Sequence, residues 1–409
     1  MKKYLILVVS WLLLGSGQLV KEASDNVWVL PCTELLENYQ DFPAKEWNEV
    51  VLGKGETEHL QVVLNTIPKE KITISSSIPE AFNVHYRMLT DIDGYKDALV
   101  PFVSTIQATG STSVVWLTFE TPRNSQPGTY EYTVSIKTLR NSINLKFKVR
   151  VADYEIPLTP SIPSEFCIDI DNLPDNGSDE QKELWNEFLL SRRIDPYYGK
   201  LIDRNTWRWD NCFSPWPWDD PRSRKLLQDK RFCRFALPCM LEDDELLRMC
   251  NDMEEKGYFD RCYFYIWDEP KTPEHYEQIA KESAHILSLK PNAKMLVPIS
   301  SFLVEGEHKW DYDYTFDFLT KYVKIFPIAA EQYNCENSGA EKFRKLVEPR
   351  AEWWTYVCCG PTGVQPNFLF AQTPFHNRAI MWRVWKEQET GFLYWGVNRY
   401  RLNPFAFDT

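Results

Sequence analysis

The stretch Cys262–Ile299, CYFYIWDEPKTPEHYEQIAKESAHILSLKPNAKMLVPI, decides the fold. It opens with a six-residue apolar and aromatic run, Cys262–Trp267, of strand length and strand composition. Asp268, Glu269 and Pro270 end that run, because proline has no amide to donate to a ladder. Thr272 then stands where an N-cap belongs, ahead of a helical pattern over Pro273–Leu289. A second apolar run follows at Met295–Ile299. Strand, helix and strand in this order are one parallel βαβ unit.

The same alternation continues on both sides. Before it come a strand at Phe166–Ile170, a helix at Asp179–Arg192 with Ser178 as N-cap, and a weak strand at Ile194–Tyr198. A strand at Phe232–Cys239 and a helix at Glu242–Lys256, stopped by Gly257, complete that side. After it come a strand at Val323–Ile328, a short helix at Ala340–Val347 and a strand at Trp353–Cys358. A helix at Asn377–Gln388 and a last strand at Gly391–Trp395 follow. Eight strand signals, most of them separated by helices, predict a (β/α)8 barrel over residues 158–409. An open doubly wound sheet would usually carry a glycine-rich loop after its first strand. Here Asp171-Asn172-Leu173-Pro174 stands in that place.

Upstream the period changes from helical to alternating. Residues 60–65 (LQVVLN), 71–75 (KITIS), 113–120 (SVVWLTFE), 130–138 (YEYTVSIKT) and 144–151 (NLKFKVRV) all read as strands. The last two alternate apolar and polar, as half-buried strands do. Pro127-Gly128 and Asn141-Ser142 supply turn chemistry between them. The reading is an antiparallel β-sandwich over 24–157, joined to the barrel by a linker stiffened by Pro157, Pro160 and Pro163. No internal repeat and no low-complexity tract is visible. The N-terminus reads as an export signal over 1–23. Lys2 and Lys3 precede an apolar Tyr4–Leu14 too short to span a bilayer, and Gly15, Ser16 and Gly17 follow. No cysteine follows that would carry a lipid anchor, and no later run reaches about 18 apolar residues. The mature chain is therefore expected to be soluble, with no integral membrane segment, and periplasmic or extracellular.

The formal charge of −12 argues against a nucleic-acid partner, whose phosphates need a basic footprint. Aromatic residues make up 14% of the chain, with 16 Trp and 20 Tyr. Such rings serve either as platforms for the C–H faces of sugars or as core filling, and only position decides between them. Of the 10 cysteines, Cys167, Cys233, Cys239 and Cys262 lie in or beside strand runs and read as small buried hydrophobes. Cys358 and Cys359 are adjacent and cannot easily bridge each other. With no CxxC pair and no ligand-like spacing among six histidines, neither a metal nor another cofactor is expected.

In a barrel, chemistry gathers at the C-terminal ends of the strands. The fourth predicted strand ends in Asp268-Glu269. Neighbours in a regular strand point to opposite faces, so these two converge only if the chain leaves strand geometry there. Close carboxylates do not both ionise easily, and such a pair can supply an acid and an anion together. The plainer reading is an acidic turn in which Asp268 caps the next helix. The position at an apolar strand end, between Trp267 and Pro270, favours chemistry. Other strand ends offer Glu331-Gln332-Tyr333-Asn334 after the sixth strand, and Tyr394, Trp395 and Asn398 after the eighth. Trp353, Trp354 and Tyr356 lie in the seventh. Trp395 is placed to floor a sugar pocket and Tyr333 to donate its hydroxyl, although core packing suits each ring taken singly. The loop Trp216-Pro217-Trp218-Asp219-Asp220 reads either as a cleft wall or as a packed surface loop. Arg378 reads either as a partner of Asp268 or Glu269, or as one half of a surface ion pair. There is no G-x-S-x-G elbow and no phosphate loop, and His376 has no evident nucleophile partner.

Four runs, YFYIWDEP, PGTYEYTVSI, FKVRVADYEIPL and WRVWKEQETGFLYWGVN, resemble glycoside hydrolase family 123. The resemblance extends from Leu60 to Asn398, and its most specific element is the adjacent Asp-Glu. It implies a β-N-acetylgalactosaminidase that retains configuration with the substrate's help. Glu269 would be the general acid and base, and Asp268 would orient the 2-acetamido group. The acetamido oxygen would attack the anomeric carbon to give an oxazoline-like intermediate, an exception to the usual two-carboxylate scheme. Tyr333, Trp354, Arg378, Trp395 and Asn398 carry over as substrate-binding residues. A non-catalytic carbohydrate-binding protein, and a glycosidase for sugars lacking an N-acetyl group, are the alternatives. The family continues past the point where this chain stops, with a helix over the eighth strand. The sequence therefore predicts exposed apolar surface at Phe392 and Tyr394.

Overall fold

The computed structural model describes residues 27–34, 36, 47–77, 79–92, 95–101, 105–108, 110–139, 142–203, 208–300, 312–332, 339–369 and 372–398. The export signal read at 1–23 and the candidate Tyr333 lie outside the described residues.

The first unit is built from ten strands: β1 (Val27–Pro31), β2 (Glu49–Lys54), β3 (Thr57–Asn65), β4 (Lys71–Ser76), β5 (Asn83–Ile92), β6 (Tyr95–Pro101), β7 (Thr105–Gln107), β8 (Thr112–Glu120), β9 (Gly128–Lys137) and β10 (Ser142–Glu155). They form two five-stranded sheets, ordered β1-β3-β8-β5-β6 and β2-β10-β9-β4-β7. Neighbours are antiparallel except β2 and β10. The alternation along β10 turns Ile143, Phe147, Val149 and Val151 inward. There they meet Val62, Leu64, Val115, Leu117 and Phe119 of the other sheet in one core. Each such side chain, fully buried, contributes roughly 1.5–3 kcal/mol against its exposed state.

The second unit contains β11 (Ser164–Ile168), β12 (Asp195–Asp203), β13 (Arg208–Cys212), β14 (Phe235–Leu237), β15 (Cys262–Tyr265), β16 (Met295–Leu296), β17 (Ile325–Ala329), β18 (Glu352–Val357) and β19 (Gly391–Tyr394). Its helices are the single turn α1 (Pro174–Gly177), α2 (Asp179–Leu190), α3 (Pro221–Leu227), α4 (Asp243–Glu255), α5 (Pro273–Leu289), α6 (Tyr312–Leu319), α7 (Gly339–Val347) and α8 (Pro374–Glu387). Two of the expected N-caps form: Ser178 accepts from Gln181 N, and Thr272 from His275 N, each at 3.3 Å. The sheet runs β13-β12-β11-β19-β18-β17-β16-β15-β14. All its pairings are parallel except β12 with β13. The two free edges meet where Phe213 N donates to Ala236 O at 2.6 Å. The result is a nearly closed nine-stranded barrel.

This departs from the expected eightfold alternation in two ways. β13 folds back on β12 as an antiparallel strand and fills the gap before β14. Among the described residues, no helix follows β19. Even so, the predicted exposure of the last strand does not occur at Phe392, which is fully buried. Phe368, from the segment after β18, packs over it at 6.1 Å and over Tyr394 at 4.9 Å, and Phe166 completes the cluster. Tyr394 is half-buried.

Alternate residues of the barrel strands point into its interior, where Tyr197, Tyr263, Tyr265, Trp354, Tyr356 and Leu393 form one cluster. Gly391 lies beside Trp354 in the β18–β19 ladder, and a Cβ there would overlap the indole. At the N-terminal end of the barrel, Glu165 and Asp195 are completely buried. Asp195 accepts from the amides of Cys233 (2.8 Å) and Arg234 (3.2 Å), while the Arg234 guanidinium pairs with Glu352 at 2.6 Å. Burial, with the neighbouring Asp195 charge, pushes the Glu165 carboxyl well above its ordinary range; burial raises Asp195 to about 7. The nine described cysteines are all free thiols, with Cys167 and Cys262 buried in the core.

Candidate active site

The carboxylate pair is positioned by the end of β15. Tyr263 and Tyr265 point into the barrel, and Phe264 points outward to the helices. The strand ends at Tyr265, and Ile266 and Trp267 both enter the outer core, which breaks the two-residue alternation. The chain then bends at Asp268 and Glu269. Glu269 takes φ 48°, a left-handed conformation that is uncommon for a residue with a side chain. The pair has therefore left strand geometry, as convergence requires.

Each carboxylate is held by its own phenol. Tyr265 Oη donates to Asp268 Oδ1 at 2.9 Å, and Tyr356 Oη of β18 donates to Glu269 Oε1 at 2.5 Å. Tyr197 of β12 stacks on Tyr265 with centroids 6.3 Å apart and planes at 26°. Burial first, and the adjoining carboxylate second, push Tyr265 and Tyr356 well above the ordinary phenol range. Both therefore remain protonated donors at any working pH. Cys358, two residues beyond Tyr356, is pushed up to about 12 by burial and by Cys359, so it offers no thiolate. The arrangement supplies two anchored carboxylates, half-buried at the C-terminal mouth of the barrel, with donors on one side and solvent access on the other.

The other candidates are scattered. Trp395 sits half-buried just past β19, its ring 6.4 Å from that of Tyr394, near the barrel mouth. Trp354 has no exposed surface; it lies on the same inward face as Tyr356 but two residues deeper, and Nε1 donates to Glu352 Oε2 at 3.2 Å. That burial makes it barrel filling and corrects the expectation that it meets substrate. Asn398 is also fully buried, with Nδ2 donating to Asp169 O (2.8 Å) and Oδ1 accepting from Asp169 N (2.9 Å). Its amide clamps the segment after β19 to the segment after β11 instead of facing a ligand. Arg378, on the outer side of α8, pairs with Glu58 of β3 and reaches Cys32 Sγ at 3.5 Å. Of its two readings, the ion pair is the one observed, and it joins the barrel to the sandwich. Trp216 and Trp218 are buried. Trp216 Nε1 donates to Asp179 at 2.9 Å, and Arg222 covers its ring, so this loop is packed. The two phenols are what sequence reading missed as parts of the site. Their signal was an inward-facing tyrosine at or near the end of a strand.

An acidic pair anchored at the C-terminal end of a barrel strand, with the half-buried Trp395 ring near the mouth, fits glycosidic chemistry. The comparisons define the class: the protein is a glycoside hydrolase. Residues 242–408 match the family model for the glycoside hydrolase 123 catalytic domain, so the chain carries a family 123 catalytic domain. The fold is similar to that of a family 123 glycoside hydrolase from Clostridium perfringens, whose structure describes glycolipid glycan hydrolysis. The TM-score is 0.56 at 14% identity, over 90% of this chain and 78% of that one. More distant overlaps include an FMN-binding β-glucuronidase from Facaelibacterium prausnitzii L2-6 (TM-score 0.35, 8% identity, 91% of this chain and 55% of that one). Another is a β-galacturonidase from Eisenbergiella tayi (TM-score 0.31, 10% identity, 91% of this chain and 64% of that one). No curated protein matches the sequence.

Proposed function

We propose that the chain is an exported hydrolase that releases β-linked N-acetylhexosamine, N-acetylgalactosamine first among them, with retention and through an oxazoline-like intermediate. The observation that carries this reading is that the two anchored carboxylates are consecutive residues. Both are anchored from the barrel interior at the end of one strand, so they approach a bound sugar from the same side. An ordinary retaining enzyme places its two carboxylates across the scissile bond, about 5–5.5 Å apart, so that one can attack the sugar. Here the attacking atom is better supplied by the sugar's own acetamido oxygen. Asp268 holds the acetamido N–H, and Glu269 protonates the leaving oxygen and later takes a proton from water.

The eight parallel strands in chain order support a (β/α)8 barrel over 158–409, modified by the β13 insertion, with the sandwich over 24–157 as its companion domain. Trp395 is the ring proposed to stack on the sugar, and Tyr333 the hydroxyl proposed to reach it. Lys2, Lys3 and the apolar Tyr4–Leu14 support export to the periplasm or beyond. No helix among the described residues is long and apolar enough to cross a membrane. The C. perfringens relative makes a glycolipid headgroup the first natural substrate to test.

The deciding assay offers the purified chain aryl N-acetyl-β-galactosaminide, aryl N-acetyl-β-glucosaminide and aryl β-galactoside in parallel. Release confined to the N-acetyl sugars is expected. Equal rates on the plain galactoside would overturn substrate assistance. Glu269→Gln should lose about 100-fold or more in turnover while circular dichroism stays unchanged. Wild-type turnover in that variant would remove Glu269 from the mechanism.

A further inference from the structure

We infer that Tyr356 and Tyr265 are positioning residues of the two proposed catalytic carboxylates: Tyr356 distinguishes the two oxygens of Glu269, reserving Oε2 for proton transfer, and Tyr265 holds Asp268 as the anion through Oδ1. This rests on the roles proposed above for Glu269 and Asp268. The geometry is specific. Tyr356 Oη engages Oε1 of Glu269 at 2.5 Å, and Tyr265 Oη engages Oδ1 of Asp268 at 2.9 Å. One oxygen of each carboxylate is thereby occupied from the barrel interior. The phenols are 4% and 5% exposed, so the donors are fixed and water does not replace them.

The groups facing these phenols lie on β11 and β12 and at the end of β18 itself. Tyr197 of β12 stacks on Tyr265, with Cys167 of β11 beside it, and Cys358 continues β18 past Tyr356. Tyr197 is raised well above the phenol range and Cys358 to about 12, chiefly by burial, so both are neutral. Among these named groups the charges are therefore those of the two carboxylates, with Glu331 lying further out beside Gly360. A phenol that only donates favours the anion it touches. On Asp268 that is a constant requirement, since the anion must accept from the acetamido N–H throughout.

On Glu269 the requirement alternates. In the first step, the Oε2 proton passes to the glycosidic oxygen as the C–O bond breaks. The acetamido oxygen lone pair forms the new bond to the anomeric carbon, and the charge left on the carboxylate is shared with Oε1, where Tyr356 donates. In the second step, water attacks the anomeric carbon and loses its proton to Oε2, while the acetamido C–O bond breaks. The phenol proton itself never transfers.

The test is the pH profile of kcat/KM on an aryl N-acetyl-β-hexosaminide for wild type, Tyr356→Phe and Tyr265→Phe. Each variant keeps the ring and deletes one hydroxyl. Removing Tyr356 Oη should move the alkaline limb to higher pH, because the proton is released less readily. Removing Tyr265 Oη should move the acid limb to higher pH and leave the alkaline limb in place. Each variant should lose on the order of tenfold in kcat/KM, the effect of one hydrogen bond to a charged group. A fall in rate with both limbs unmoved would reduce the tyrosines to packing and overturn the inference. Limbs moving in the opposite assignment would overturn it equally. If one variant fails to fold, the other's limb decides. Inactive wild type on every aryl sugar would overturn the functional reading with it. An inactive Glu269→Gln beside unmoved limbs would sink the tyrosine assignment alone.

Discussion

Two glycines in the barrel differ in what surrounds them. A Cβ at Gly391 would overlap the indole of Trp354, a ring with no exposed surface and nowhere to move. Gly391→Ala is expected to lower stability by about 1–3 kcal/mol, the usual cost of overpacking, read as a fall in thermal midpoint. A Cβ at Gly360 would overlap Glu331 Oε2 instead, the tip of an exposed side chain that can swing away. Gly360→Ala should therefore melt close to the wild type, and equal losses in the two variants would contradict this account. Asn398 allows a sharper distinction. With both ends of its amide on the Asp169 backbone, Asn398→Ala should cost about 1–3 kcal/mol of stability with little change in KM. A large rise in KM at unchanged stability would return Asn398 to the substrate.

At the scale of elements, alternation was the legible signal, and its limits are physical. β8, β9 and β10 carry long apolar faces and stand out in the sequence; β5, NVHYRMLTDI, alternates only as far as Met88 before Leu89 and Thr90 reverse the faces, and does not. The carboxylate pair was readable because an apolar run stops abruptly at two charges and a proline. Tyr356 was not readable as its partner, because 87 residues separate it from Glu269 and only the curvature of the barrel closes that distance. Trp354 shows the complementary error. It shares the inward face of β18 with Tyr356, but two residues along a strand is about 6.6 Å, enough to move a ring from the mouth into the core. Arg378 faced two ways on paper because a helix pattern does not say which domain lies against its outer side.

For the whole molecule, pH acts through the far end of the barrel. Glu165 and Asp195 are fully buried there, and their carboxyls are raised, chiefly by burial. Between about pH 4, where the unfolded chain loses these protons, and about pH 7, where Asp195 does so when folded, the folded state binds more protons. This contribution therefore makes the protein less stable as pH rises through that window. His59, lowered to about 4 by burial, acts in the opposite sense, so the comparison must be made between variants. Glu165→Gln keeps the neutral shape and removes the titration. It should melt higher than wild type at pH 8, with the difference shrinking towards pH 4. Parallel melting curves across that range would show that the pair is not the source. The link between the two units should matter less. Arg378 is 46% exposed, and its pair with Glu58 is worth about 0–1 kcal/mol at a surface.

The left-handed backbone at Glu269 sets heat resistance against the proposed acid at one position. A side chain there costs of order 1 kcal/mol or more that glycine would not incur. Glu269→Gly should therefore be more stable than Glu269→Ala, the reverse of the order found at most sites, although both lack the acid. A library of this protein sorted only for survival on heating would drift towards glycine at 269 and lose the carboxyl proposed as the acid. Any programme of stabilisation has to score catalysis in the same round.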